Sequence, residues 1–487
     1  MASKQISRVE LAGYLVSPSL FVMLALMVAE AMLAAATTSL VINAGRRVAI
    51  GEYLIGDLIW ILTAQSASYV CGVISWIFAE RAGYRGFGKY MMRFARENRA
   101  KVKLFSDKPS REQIEPFLTG ESFQVFFSLM YELEFTLKLL LGLVFNALVL
   151  GAEIDISLPF AYVGAFAALL LMQWALQKPI ARTYLENQRM NNRVTAQGYT
   201  AWDNIFSGNR YNLRLWLAEF KRRLRVALTA QVRAIVAREG MSAMSGIVSL
   251  AIVFATITVV AVRDAGNTAM LVALATTLPR QIEMTYELHL LATGWNDVVA
   301  IWTRFGGVAA NMLPAPEPAF DNRIKFDRLI LREGDDANVV SSVNDALRIV
   351  QARPTGRINI RGANGSGKSS LLASLKTEMR RRAFYWPASD RLAFKFTGGV
   401  VPVDVEGDQN DEVVVEESLD KKLGFSTGER QLKSLEEIVN STDAQVYLLD
   451  EWDANLDATN KARADALVDA LAARARVVEI SHRDRAA

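Results

Sequence analysis

Gly362-Ala363-Asn364-Gly365-Ser366-Gly367-Lys368-Ser369 is spaced as G-x-x-x-x-G-K-S. Residue types in this order can hold an anion. Glycine tolerates positive φ and leaves the backbone bare, so successive N–H groups can turn inward around phosphate oxygens. A lysine at this position reaches the outer phosphates and the following hydroxyl reaches a magnesium ion. The flanks fit the same chemistry. Arg357–Arg361 reads as a short strand entering the loop, and Ser370–Leu375 reads as a helix leaving it with its positive end toward the anion. The alternative, a glycine-rich turn with no ligand, does not account for this strand–loop–helix setting. Further along, the apolar run Val446–Leu449 ends in Asp450-Glu451. A buried strand that delivers an aspartate beside a phosphate loop suits a Mg²⁺ site, and a carboxylate one residue on can polarise water.

Two kinds of element must position these residues. From about residue 320 the composition is that of an α/β domain, with strands such as Val446–Leu449 and Val477–Ile480 alternating with helical stretches such as Asn460–Arg474. The Pro-rich run 313–319 marks a linker, so 320–487 is expected to be one domain and 1–312 another. Across all 487 residues, 51% are apolar and the mean hydropathy is +0.16, high for a soluble enzyme. Cys71 is the single cysteine, which excludes an internal disulfide. His289 and His482 lie far apart, and no metal-ligand cluster is visible.

Six apolar stretches precede residue 300, at 11–42, 58–78, 126–150, 158–176, 241–262 and 269–291. Each approaches the ~20 residues that a membrane-spanning helix needs. The first is too long, and too polar at its start, for a cleavable signal peptide. Lys and Arg crowd the connections between spans two and three and between spans four and five, whereas the turn after span three holds Glu153 and Asp155 with no base. This asymmetry predicts a multi-pass protein of the cell (inner) membrane with cytoplasmic N- and C-termini. Arg46 and Arg47 break the rule. The basic excess, a net charge of +4, therefore reads as a topology signal and not as a nucleic-acid footprint.

The long basic connections read as helices that extend into the cytoplasm, each with a short break, near Asp107–Ser110 and near Ser207–Asn209, where a docking element could meet the nucleotide domain. Glu30, Glu132, Glu134, Lys138, Arg280, Glu283 and Glu287 lie within spans. Such groups face a bundle interior or a wet cavity. A polar substrate path and a structural ion pair are both open for Glu283 and Glu287, and Arg280 favours the cavity.

Taken together, these pieces resemble the ATP-binding cassette (ABC) transporters, of the exporter-type half-transporter kind. Gly362–Ser369 resembles Walker A, and Tyr447–Glu451 resembles Walker B with its catalytic glutamate. Phe425-Ser426-Thr427-Gly428-Glu429-Arg430-Gln431 resembles the signature, Asn455-Leu456-Asp457 the D-loop, and His482 the switch histidine. The resemblance covers nearly the whole chain. It implies an all-α six-helix transmembrane bundle followed by an α/β P-loop nucleotide-binding domain. It implies ATP and Mg²⁺ as ligands and a homodimer as the working unit. Gly362, Asn364, Gly365, Ser366, Gly367, Lys368, Ser369 and Ser370 would contact the nucleotide, and Ser426, Gly428, Glu429 and Asp457 would contact the one held by the second copy. Ser369 and Asp450 would hold the metal, and Glu451 and His482 would be catalytic.

The chain departs from that pattern in three places. No aromatic residue stands between Leu331 and Gly356 to stack on adenine. Ala388 follows Pro387 where the family has glutamine, with Gln409 a weak substitute. The stretch between Ala388 and Ser426 is short and acidic. The expected activity is ATP-driven export of a small peptide or amphipathic natural product. Uptake by an exporter-like fold, or nucleotide gating without active transport, are the alternatives.

Overall fold

The computed structural model describes residues 7–312, 320, 322–389, 392–394, 396, 425–454 and 456–481. The linker 313–319, the acidic stretch with Gln409, Asn455 and His482 lie outside the described residues. The chain divides into two compact units. One is helical and comprises Gln5–Met91 with Thr119–Ala310; the other comprises Met92–Leu118 with the chain from Asn311 on.

Among the described residues nine α-helices fill the first part of the sequence: α1 (Arg8–Ala12), α2 (Pro18–Ala49), α3 (Ile55–Asn98), α4 (Lys108–Thr119), α5 (Glu121–Glu153), α6 (Ser157–Gly198), α7 (Ala201–Phe206), α8 (Arg210–Arg263) and α9 (Thr268–Met312). Pro18 sits at the first helical position of α2, where its missing N–H costs nothing. Gly208 takes φ +72° between α7 and α8, and Asp107 accepts bonds from the Ser110 N–H and hydroxyl at the start of α4, so the helical run breaks near both places that the sequence marks. Among the described residues five helices are long and apolar enough to cross a membrane, namely α2, α3, α5, the 157–175 part of α6, and α8.

The expectation of six spans is met only in part. The sixth stretch is helical, inside α9, but Pro279, Arg280, Gln281, Glu283 and Glu287 lower its hydropathy below that of the other five. Ile42, Leu143, Leu158, Val253, Leu274 and Met284 form one buried cluster that draws on α2, α5, α6, α8 and α9. The bases that break the charge rule are compensated locally. Arg46 meets Glu153 at 3.4 Å and Arg47 meets Asp57 at 3.4 Å, each near the C-terminal end of α2, where a cation also suits the helix dipole.

The other unit is built on a six-stranded sheet. Its elements are β1 (Ile330–Glu333), β2 (Asp336–Val339), α10 (Val343–Gln351), β3 (Gly356–Arg361), α11 (Lys368–Met379), β4 (Ala383–Trp386), α12 (Thr427–Ser441), β5 (Val446–Asp450), α13 (Ala458–Arg474) and β6 (Arg476–Ile480). The order is β2-β1-β3-β6-β5-β4. β3, β6, β5 and β4 run parallel, and β1 joins β2 and β3 antiparallel. β5 is buried throughout, as a parallel strand covered on both faces must be. Its alternate side chains serve two cores: Leu448 packs with Ile358, Leu371 and Val478, and Tyr447 and Leu449 pack with Leu432, Leu435 and Leu471.

Candidate functional site

Strand order decides where a site can form. The chain leaves β3 and enters β4 at the far edge, with β6 and β5 between them. Connections that diverge in this way open a crevice at the carboxyl ends of parallel strands, where ligands of open α/β sheets bind. The loop 362–367 lies at the end of β3, Asp450 ends β5, and Ser481 follows β6, its hydroxyl 2.7 Å from the Asn359 amide.

The loop's glycines have separate reasons. Gly365 and Gly367 take φ +76° and +91°, a region that costs other residues. Gly362 is needed for space: a Cβ there would stand 2.6 Å from the Arg328 carbonyl and 2.7 Å from Ser366 Oγ. The loop is also tied from behind, with the Lys325 N–H donating to the Ser366 carbonyl at 3.0 Å. Gly367 caps α11, so Lys368, Ser369 and Ser370 form that helix's first turn, where unpaired N–H groups and the dipole favour an anion. Lys368 Nζ donates to the Gly362 carbonyl at 2.9 Å, arching over the loop. Asn364 is exposed at the loop's tip.

Ser369 Oγ donates to Asp450 Oδ1 at 3.1 Å, which joins the two motifs across 81 positions of sequence. Burial pushes the Asp450 carboxyl up to about 6, and the neighbouring Glu451 charge adds to this against the opposing Ser369 bond and Lys368 charge. Such a carboxylate gains from a hard cation. Ser366 Oγ is buried and has no hydrogen-bond partner among the described residues. A cation for Asp450 and an anion for the loop amides are what Mg²⁺ and a nucleotide phosphate would supply, so the residues fit both groups.

Glu451 takes φ +50°, rare for a residue with a side chain and a sign of strain held by its surroundings. Its N–H donates to the Ile480 carbonyl at 3.0 Å, and its carbonyl accepts from Gln431 Nε2 at 3.3 Å. Gln431 also donates to the Trp452 carbonyl at 2.8 Å, and Trp452 Nε1 donates to Glu479 at 2.8 Å. Gln431 and Trp452 were not among the residues expected to act. The first stands inside the Phe425–Gln431 motif, which was its only signal, and nothing local points to the second.

Ser426 and Glu429 answer to each other. Ser426 is the N-cap of α12, accepting from the Glu429 N–H at 3.3 Å, while Glu429 accepts from the Ser426 N–H at 2.8 Å. This is a capping box, and those bonds hold the Glu429 carboxyl below its ordinary range. Gly428 lies in the same turn. Asp457 caps α13, accepting from the Asn460 N–H at 2.7 Å. All three capping residues therefore have a local structural task in the single chain.

The segment from Val102 to Asp107 packs within this unit. Val102 touches the core beneath the loop. Phe105 meets Tyr385 edge-on with ring centroids 6.5 Å apart. Asp107 pairs with Arg323 at 2.5 Å. The Ser110 bonds, and then Arg323, hold the Asp107 carboxyl below its ordinary range. Arg323 in turn lies against the loop, since a Cβ on Gly367 would stand 2.5 Å from the Arg323 carbonyl.

No protein-family model matches this chain, and no curated protein matches it.

Proposed function

We propose that the chain is an ATP-hydrolysing membrane transporter that works as a pair of identical copies, with the six-helix bundle as the transport path and the α/β domain as its engine. One observation carries the reading: the glycine loop, the Ser369–Asp450 contact and the strained Glu451 converge at the carboxyl edge of one sheet, in a chain that also has five apolar helices of spanning length.

The chemistry follows from the chain's own groups. The loop amides and the first turn of α11 bind the phosphates of ATP, and Lys368 steadies the outer ones. Mg²⁺, held by Ser369 and Asp450, would neutralise phosphate charge when bound. Glu451 polarises the attacking water, and the strain at its backbone fixes where its carboxylate points. The first turn of α12, with Gly428 at its bare point, supplies amide donors to the nucleotide of the second copy, while Glu429 stays on its cap. Asp107–Arg323 is the proposed mechanical link. It ties the segment that continues α3 to residues lying against the loop, and does not require the short acidic stretch after Ala388.

The direction proposed is export of a small amphipathic molecule from the cytoplasmic side. Full-length protein in proteoliposomes tests the reading. Glu451→Gln should lower ATP turnover by about 10²–10⁴-fold, the usual worth of a positioned general base, and should accumulate ATP-bound dimers by light scattering. Lys368→Ala should abolish both. Asp107→Asn should keep basal hydrolysis and lose its stimulation by cargo. Unchanged turnover in Glu451→Gln would sink the proposal.

A further inference from the structure

The helical unit holds a half-open cavity of about 760 Å³. Its charged lining consists of Glu30, Glu134, Glu283 and Glu287 against Lys138 and Arg280. Four acids against two bases leave two formal negative charges. The pairings show where the surplus lies. Arg280 serves two carboxylates at once, Glu283 at 2.7 Å and Glu287 at 2.9 Å. Lys138 is committed to Glu30 Oε1 at 2.5 Å. Glu134, one turn before Lys138 on α5, accepts a 3.3 Å bond from the neutral Ser75 hydroxyl.

Glu30 gives a second, independent sign. It is only 8% exposed, yet among the described residues its Oε2 has no hydrogen-bond partner. The backbone is shaped around this carboxylate, since a Cβ on Gly72 would stand 2.7 Å from Glu30 Oε1. A buried carboxylate oxygen left without a donor is costly, and charged groups at this depth of a helical membrane protein mark a path or site. The same cavity has aromatic walls. Trp76 and Tyr131 meet edge-on at 5.3 Å between centroids, and Tyr131 stacks with Phe135. Aromatic faces attract cations as well as apolar bodies.

We infer that this cavity binds an organic cation: a primary amine or guanidinium on an aromatic or aliphatic body, its charge directed to Glu134 and the free oxygen of Glu30. A neutral or anionic cargo would leave Glu134 without a cation, and a donor-free cation would leave Glu30 Oε2 unpaired. The inference rests on the transport reading for its meaning, as it names the class of cargo, but its test does not.

The test is fluorescence titration of the detergent-solubilised full chain, without nucleotide, with dansylcadaverine and its N-acetylated form, which share a ring body and differ in the ammonium. The acetylated probe should bind at least about ten-fold more weakly. Glu134→Gln should weaken the amine by about ten-fold and leave the acetylated probe unchanged. Lys138→Gln, which releases Glu30 from its ion pair, should tighten the amine, a gain that misfolding cannot mimic. Equal affinity for the two probes would overturn the inference, as would amine affinity that neither substitution moves. Amine binding in a chain that hydrolyses no ATP would overturn the transport reading and leave this one standing.

Discussion

At the amino-terminal edge of the sheet, Arg476 is fully buried and its two terminal nitrogens meet both oxygens of Glu333 at 2.6 and 2.7 Å. Among the helices, Glu30, Glu134, Glu283 and Glu287 share two cations around open space. Both regions hold deep charge, but the first aims its charges at each other and packs them tightly, and the second leaves charge facing a cavity. Matched, close-packed charge gives register and rigidity; unmatched charge facing space is the form a ligand can complete. The distinction also holds inside the α/β unit, where the carboxyl edge of the sheet carries the buried Asp450 and the partnerless Ser366 hydroxyl.

The largest expected effect breaks the matched side. Glu333→Gln leaves the buried Arg476 without its counter-charge, a situation that costs roughly 3–5 kcal/mol. Hydrogen exchange of the Arg476–Ile480 and Gly356–Arg361 strands in the full chain should accelerate accordingly. Replacing the pair together, Arg476→Met with Glu333→Leu, should restore most of the protection, because the desolvation cost goes with the charges. Acid offers the same break by titration. Arg476, with Arg353 in support, holds the Glu333 carboxyl below its ordinary range. Its contribution is therefore fully present above the unfolded carboxylate value and is lost as pH falls through the lowered folded one. Protection of β1 and β6 that stays flat on acidification below the ordinary glutamate range would contradict this account.

The next effect lies on the other side. Gly72→Ala would place a Cβ 2.7 Å from Glu30 Oε1. The carboxylate must move, at a cost in the ~1–3 kcal/mol range of overpacking, and amine binding should weaken. Affinity unchanged by this substitution would mean that Glu30 is not part of the binding wall.

Most of the elements at the carboxyl edge of the sheet could be read from residues alone because they are local. Gly362–Ser369 carries its own backbone requirement, and the apolar run Val446–Leu449 and the shorter Val477-Val478 announce buried strands. The sites of the helix breaks were legible from Pro109 and Gly208 for the same reason. What was not legible is which residues pair. The break near Asp107–Ser110 was expected as a place to meet the nucleotide domain, and Met92–Leu118 belongs to the α/β unit, but nothing in the sequence pairs Asp107 with Arg323, 216 positions away. The β1–β2 hairpin escaped notice because Ile330–Glu333 and Asp336–Val339 are short and half polar, and Gly334 at φ +58° is the one strong turn signal. Apolar length also overstates α9, where Pro279 and the charges after it sit in an otherwise span-like stretch.

The smallest expected effect is the sharpest for the comparison, because it repeats the Glu333 substitution chemically and predicts a different result. In Glu134→Gln the side-chain carbonyl still accepts from Ser75, so the bond seen at 3.3 Å survives. The change removes one negative charge from a lining with two in excess. No buried cation is orphaned, since Lys138 keeps Glu30 at 2.5 Å. Stability of the detergent-solubilised chain should therefore fall by no more than ~0.5 kcal/mol, or rise slightly as like-charge repulsion is relieved. Hydrogen exchange across α2, α3 and α5 measures this directly, since those helices carry Glu30, Ser75 and Glu134. A loss there comparable to that of Glu333→Gln would make Glu134 a structural charge like Glu333, and would erase the difference between the two regions.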